Sequence, residues 1–196
     1  MKKICFLLLI FCFCSTADIG AQNIASIRER YSTVKDMISY QQKDDNMKNC
    51  SIITYSQIVP GTGPQTCSYT AYFTPLENDA EGNLKAQKLQ FVQCSYNIAA
   101  GEYYEEYLYD RFGDLIFILK REPGEDGKVL DTQVYLSRGE VLKMAVNEVD
   151  GDKEKLLYSG KAYNNDPQYM QPVIDKANSF AEAFSSLSSA VNAGIK

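Results

Sequence analysis

Apolar residues recur at helical spacing near both ends of this chain. In each region the steps between them alternate between three and four residues, which places the apolar side chains on one face of a helix. The first region predicts a helix over about 23–44, with an apolar stripe of Ile24, Ile27, Tyr31, Val34 and Ile38. The second region starts at Pro172 and predicts a helix over about 172–191, with a stripe of Val173, Ala177, Phe180, Phe184, Leu187 and Val191.

Between the two helices the chain has the pattern of β-structure. Glycines at 101, 113, 127, 139 and 151 recur at intervals that suit consecutive hairpins and are too short for helical crossovers. The sequence therefore predicts an α+β fold: an antiparallel β-meander of about six to eight strands, with an N-terminal and a C-terminal helix packed on one face. The segments rich in β-branched and aromatic residues are 51–58, 68–75, 88–97, 103–109, 115–121, 129–137 and 141–149, with 156–163 as a candidate eighth.

A short internal repeat lies within this region. Segments 109–116 and 135–142 align without gaps and share a Tyr, a Gly, an acidic residue and two aliphatic residues. Two similar hairpins, each with Gly at a turn position of positive φ, explain the match. The pattern resembles hairpins in uncharacterised secreted bacterial proteins, in which a strand ending in Tyr meets a turn with Gly followed by Leu-Ile. This resemblance covers about 104–149 and implies no active site.

The first 21 residues have the three parts of a secretory signal peptide. A basic start at Lys2 and Lys3 is followed by an apolar run over 4–13 and by small residues that end at Ala21. The apolar run is about half of the ~20 residues that a transmembrane helix needs. We therefore expect cleavage before Gln22, which gives a signal peptide over 1–21 and a single α+β domain over 22–196 in a secreted or periplasmic location.

Composition narrows the classes of function. The 20 basic and 25 acidic residues leave a net charge of −5, which disfavours binding to nucleic acid or to anionic lipid. The chain contains no His, so the commonest general base and metal ligand is missing, and Ser-His-Asp and Cys-His catalysis are excluded. We expect no metal and no other cofactor, and neither nucleic acid nor a stable membrane span.

Three cysteines follow the predicted signal peptide, which allows one disulfide in an oxidising compartment. If the loop over 78–83 forms a hairpin centred near 80–81, Cys67 and Cys94 lie directly opposite each other. Opposed residues at a non-hydrogen-bonded position have Cα atoms about 4.5 Å apart, a distance that a disulfide tolerates. The spacing predicts a Cys67–Cys94 disulfide, and three separate buried thiols, with Cys50 as the third, are the alternative.

Ser32 and Lys35 have the Ser-x-x-Lys spacing that resembles the nucleophile motif of penicillin-binding enzymes. The Lys-Thr-Gly strand of those enzymes is missing from the sequence. Both residues also lie off the apolar stripe of the first helix. We therefore interpret Ser32 and Lys35 as part of a solvated helix face.

The segment 102–109 holds the densest cluster of unusual composition. Strand alternation places Tyr103, Tyr107 and Tyr109 on one face together with Glu105, and Glu106 on the other face. An exposed row of three tyrosines would suit stacking on sugars or gripping a peptide, whereas a helix covering the row would make it core. Glu105 and Glu106 point to opposite faces and so do not suit the carboxylate pair of a glycosidase.

The sequence favours a secreted, non-enzymatic binding or surface-accessory domain that binds glycan or peptide through the row Tyr103, Tyr107 and Tyr109. The expected partner is an extracellular or periplasmic protein or glycan. Two alternatives remain open. One is a secreted hydrolase that uses carboxylates, and the other is an inhibitor of a secreted enzyme that uses a loop such as 60–64 or 123–128.

Overall fold

The computed structural model describes residues 16–43, 49–59, 61, 63–75, 77–78, 80–82, 85–163, 166 and 168–194. Helix α1 (Thr16–Lys43) precedes eight strands, and helix α2 (Gln171–Gly194) follows them. This arrangement confirms the predicted α+β meander with one helix at each end. The strands are β1 (Cys50–Val59), β2 (Gly63–Phe73), β3 (Leu89–Ile98), β4 (Gly101–Tyr109), β5 (Leu115–Pro123), β6 (Val129–Ser137), β7 (Glu140–Asp150) and β8 (Lys153–Gly160).

The eight strands form one open antiparallel sheet in sequence order, so β1 and β8 are its two edges. Each predicted β-segment corresponds to one of these strands. Tight turns make the short connections possible. In the β6–β7 turn both Arg138 (φ 51°) and Gly139 (φ 80°) have positive φ, the backbone that matches a two-residue hairpin turn to the twist of its strands.

The two helices pack on opposite faces of the sheet, so the prediction that both lie on one face is wrong. Helix α1 packs against the face that carries Leu108, and helix α2 packs against the face that carries Tyr107. These two residues are adjacent in β4 and therefore point to opposite sides. The central strands are apolar on both sides, and one layer of helix would leave half of that apolar surface in water.

The apolar stripe of α1 is confirmed, because Ile27, Val34 and Ile38 are all buried. The predicted stripe of α2 is only partly correct. Ala177 is buried, whereas Leu187 is exposed. Val173, Phe180 and Phe184 of the predicted stripe also pack against the core on this face, together with Ile174, which the stripe did not include.

Residues 1–15 of the predicted signal peptide lie outside the described residues. Its last six residues form the first turns of α1, so the predicted cleavage before Gln22 falls within that helix. The signal peptide and the domain boundary at 21/22 remain predictions. Neither described helix is long and apolar enough to cross a membrane.

Candidate functional site

The tyrosine row of β4 lies under helix α2. Tyr107 and Tyr109 have no exposed surface, and the Tyr109 hydroxyl donates a hydrogen bond to the carbonyl oxygen of Ala177 at 2.6 Å. Tyr103 is half-buried and stacks on Tyr96, with ring centroids 5.1 Å apart. The predicted common face is correct, and at Tyr107 and Tyr109 the covered alternative holds rather than the exposed row that binding would need. They are core residues because the second helix covers this face.

A buried hydrogen-bond network surrounds Glu105 on the same face. Its carboxylate accepts hydrogen bonds from the hydroxyls of Tyr107 and of Tyr96, the latter at 2.8 Å, and it forms an ion pair with Lys176 of α2. The pKa of both tyrosine hydroxyls is raised, mainly by burial and secondly by the neighbouring carboxylate of Glu105. These tyrosines remain neutral donors to Glu105.

A second network with the same chemistry surrounds Glu106 on the opposite face. The ammonium group of Lys35 in α1 lies 2.6 Å from its carboxylate, and the hydroxyls of Tyr104 (2.5 Å) and Tyr31 donate to it. Burial acts to raise the pKa of Glu106, because it disfavours the charged carboxylate. The hydrogen bonds from Lys35, Tyr104 and Tyr31 together outweigh this effect and bring the pKa below its ordinary value. Lys35 therefore anchors α1 to the sheet, which corrects its assignment to a solvated face, while Ser32 is exposed.

The two glutamates do not form a catalytic pair. Their side chains lie on opposite sides of β4, and each is buried and bound to two tyrosines and a lysine. A catalytic carboxylate has to reach a substrate, and both of these are enclosed by protein groups. Their geometry is that of structural ion pairs that hold the helices to the sheet.

The cysteine pair lies in a different register from the predicted one. Cys67 is opposite Tyr96, and Cys94 is opposite Tyr69, so the direct opposition of the two cysteines is wrong by two residues. A register shift between Tyr72 and Phe73 changes the offset of the hairpin. A shift of two keeps both side chains on one face, and their Sγ atoms are 4.0 Å apart, at the distance of a thiol hydrogen bond and without a disulfide. The disulfide remains a prediction.

A cavity of about 580 Å³ lies between α1 and the adjoining ends of β4, β5 and β6. Its volume lies within the range of ~300–1,000 Å³ that is usual for ligand pockets. Apolar side chains of Ile27, Ile116 and Leu136 form part of its wall. The polar side of the wall consists of Asn23, Ser26, Arg30, Asp110, Arg111 and Ser137.

Positive charge dominates this cavity. Arg30 is held in place by a hydrogen bond from its Nε to the carbonyl oxygen of Tyr109 at 2.9 Å, and burial lowers its pKa, while the charge of Asp110 opposes that change. Arg111 is exposed, and its guanidinium carbon lies 4.7 Å from the ring centroid of Phe112. No ion pair of the described residues includes Arg30 or Arg111.

The acidic residue of the cavity has a local role. The carboxylate of Asp110 accepts hydrogen bonds from the backbone N–H groups of Phe112 at 2.7 Å and Asp114 at 3.0 Å. It thereby closes the β4–β5 turn, as Asp side chains commonly do. Among the described residues that line the cavity, Asp110 is the one carboxylate. The described part of the chain contains no cluster of three or more His, Cys, Asp or Glu that suits a metal ion.

Sequence reasoning missed this cavity, although it had noted the segments that build it. The repeated segments 109–116 and 135–142 supply Asp110, Arg111, Ile116, Leu136 and Ser137. Their similarity was explained by turn geometry alone. The missing information was the position of α1, which contributes Arg30 from a distant part of the chain. Comparisons with protein-family models, with curated proteins and with solved structures find no match to this chain.

Proposed function

We propose that the protein is a secreted binding domain without catalytic activity, and that the Arg30 cavity binds the carboxyl-terminal end of a peptide. The observation that carries this proposal is the combination of Arg30 and Arg111 with an apolar wall in one cavity of about 580 Å³. The leader-like residues 1–21 support export of the chain.

The two arginines favour a ligand with a carboxylate. A guanidinium group presents a planar set of N–H donors that matches a carboxylate, and such charge-assisted hydrogen bonds are about twice as strong as neutral ones. The hydrogen bond from Arg30 to Tyr109 fixes the side chain before a ligand arrives. Preorganisation of this kind reduces the entropic cost of binding.

The apolar wall favours a peptide over a glycan. Ile27, Ile116 and Leu136 offer contacts to an aliphatic side chain next to the carboxylate. Sugars are usually held by stacking on aromatic rings. The described lining residues include no aromatic side chain, and the tyrosine row that was expected to provide one is largely buried.

The hydrolase alternative has less support. A hydrolase that uses two carboxylates needs both acids to face one substrate site. Glu105 and Glu106 lie on opposite faces of the sheet, and Asp110 is engaged in its turn. The geometry therefore favours binding over carboxylate-based hydrolysis.

An NMR titration tests the proposal. The probe is the tripeptide acetyl-Ala-Ala-Leu, prepared either with its terminal carboxylate or as the C-terminal amide. We expect the acid to shift the backbone amide signals of Ile27, Arg111 and Leu136, and the amide form to bind at least about tenfold more weakly, since it loses a charge-assisted hydrogen bond.

Two variants provide the specificity control. Arg111→Met removes an exposed charge of the cavity and should weaken binding of the acid by about tenfold or more. Arg121→Met removes an arginine at the other end of β5, where it pairs with Asp131 at 2.9 Å, and should leave binding unchanged. Equal binding of acid and amide, or equal losses in the two variants, would contradict the proposal.

A further inference from the structure

Strand β1 is an edge strand of the sheet, and its described side chains after Cys50 are exposed. It pairs with β2 on one side, and no strand of the described residues pairs with its other side. Ile52 and Ile53 are adjacent and so point to opposite faces, yet 59% and 55% of their surfaces are exposed. Ile58 is 83% exposed on the same side as Ile52. Apolar residues are therefore exposed on both faces of this edge.

Charge distinguishes β1 from the other edge of the sheet. The sequence contains no charged residue from Asn49 to Leu76, a range that includes all of β1 and β2. Strand β8, the opposite edge, carries Lys153, Glu154 and Lys155. Charged side chains, lysine above all, are the usual protection of an edge strand against pairing with another chain. Strand β8 has this protection and β1 lacks it.

The hydrogen-bond phase of β1 defines which groups point outward. The carbonyl oxygen of Asn49 accepts a hydrogen bond from the N–H of Phe73 at 3.0 Å, so the backbone groups of residue 49 point toward β2. The β1–β2 register then continues without a shift from Cys50 to Val59. Since the direction alternates along an antiparallel strand, the backbone groups of positions 52, 54, 56 and 58 point away from the sheet.

We propose that β1 pairs antiparallel with β1 of a second copy of this chain, which joins two sheets into one across a two-fold axis. The two-fold axis lies between the two copies of residue 55. Ile52 of each copy then lies opposite Ile58 of the other, and Thr54 lies opposite Ser56. Only outward-pointing backbone groups are used, so the pairing with β2 is retained.

A second copy satisfies the features of this edge better than an unrelated segment would. Antiparallel pairing of two identical strands is self-complementary and closes as a two-fold dimer. Because the strand is uncharged, the two copies bring no like charges together. The register about position 55 keeps nearly the whole strand paired and places β-branched side chains opposite each other, a favourable cross-strand pair.

Sedimentation equilibrium of the purified protein tests the proposal. We expect a dimer, and we expect Ile52→Lys to raise the dimer dissociation constant by about 100-fold or more, because two isoleucine contacts are lost in each dimer. Leu156→Lys is the matched control, since Leu156 is 60% exposed on the other edge strand. It should leave the dimer unchanged.

A second variant addresses the backbone directly. Ser56→Pro removes an N–H group that points away from β2, so a folded monomer is expected, with the circular dichroism spectrum of the wild type. A wild-type monomer at all accessible concentrations would overturn the proposal. So would a dimer that persists in both Ile52→Lys and Ser56→Pro, or one that Leu156→Lys dissociates instead.

Discussion

Glu105 and Glu106 are neighbours in β4, yet each binds a lysine from a different helix on a different face of the sheet. Glu105 pairs with Lys176 of α2, and Glu106 pairs with Lys35 of α1. One strand therefore holds both helices through buried charges. A buried charge without its partner is costly, so moving either helix away from its glutamate is unfavourable. The two ion pairs therefore fix the position of each helix on the sheet.

Replacement of Glu106 by Gln should destabilise the protein by about 3 kcal/mol. Loss of one partner from a buried ion pair costs about 3–5 kcal/mol, and the lower end is expected because Lys35 is 33% exposed. Urea denaturation measures the change. Glu102→Gln, an exposed position in the same strand, is the control and should change stability by less than about 0.5 kcal/mol.

The Glu106→Gln variant also tests how stability depends on acidic pH. The pKa of Glu106 is lowered from 4.5 in the folded protein. The contribution of ionised Glu106 to the free energy of unfolding is therefore complete above that pH and is lost as pH falls through the lowered pKa. The stability difference between the wild type and Glu106→Gln should therefore narrow below about pH 4.5. A difference that stays constant between pH 7 and pH 3 would contradict this assignment.

Replacement of Tyr107 by Phe should cost about 1–3 kcal/mol. The ring remains in place, but Glu105 loses a hydrogen-bond donor in a fully buried site. Tyr103→Phe is the comparison in the same row and should be nearly neutral, because Tyr103 is half-buried and keeps its ring stacked on Tyr96. Thermal and urea unfolding of both variants measure the difference, and equal losses would argue against the buried network.

Stability should fall at alkaline pH. Burial and neighbouring carboxylates raise the pKa of Tyr31, Tyr96, Tyr104 and Tyr107 above the ordinary value of 10.0. Above about pH 10 the unfolded chain loses these protons while the folded chain retains them, so the free energy of unfolding decreases. Unfolding between pH 8 and pH 11 should show this decline, and Tyr31→Phe should reduce its slope. An unchanged slope in that variant would count against the prediction.

Oxidation should join Cys67 and Cys94. Two thiols form one disulfide with loss of two protons and two electrons, which oxidised glutathione accepts as it becomes two thiols. Non-reducing peptide mapping should then show the linked peptides, and the bond should add up to about 3–4 kcal/mol of stability. Cys50→Ser should leave the product unchanged. Recovery of both cysteines as alkylated thiols after oxidation would refute the disulfide.

Local pattern explains why the elements were predictable. Side chains alternate every residue in a strand and recur every 3.6 residues in a helix, so the segment that became β6 and the stripe Ile27, Val34 and Ile38 could be recognised without knowledge of any partner. The positive φ of Gly139 is likewise a local requirement of its turn.

Burial and pairing depend on contacts between distant segments, which periodicity does not specify. Alternation correctly placed Tyr107 and Tyr109 on one face, but only the docking of α2 made that face interior. In the same way, the docking of α1 on the other face determined that Lys35 binds Glu106 rather than solvent. The register of β2 against β3 determined that Cys67 lies opposite Tyr96. A residue's neighbours along the chain determine its secondary structure, whereas its exposure is determined by whichever remote element covers it.

The sequence by itself determined the order of helices and strands and the lack of any His side chain. The tertiary structure decided which face each helix covers, that Tyr107 and Tyr109 are core, and that Arg30 and Arg111 line one cavity. The physical reason is that burial of apolar surface is favourable but has no preferred direction. An apolar stripe in the sequence therefore predicts that the stripe will be covered, but it does not predict which element will cover it.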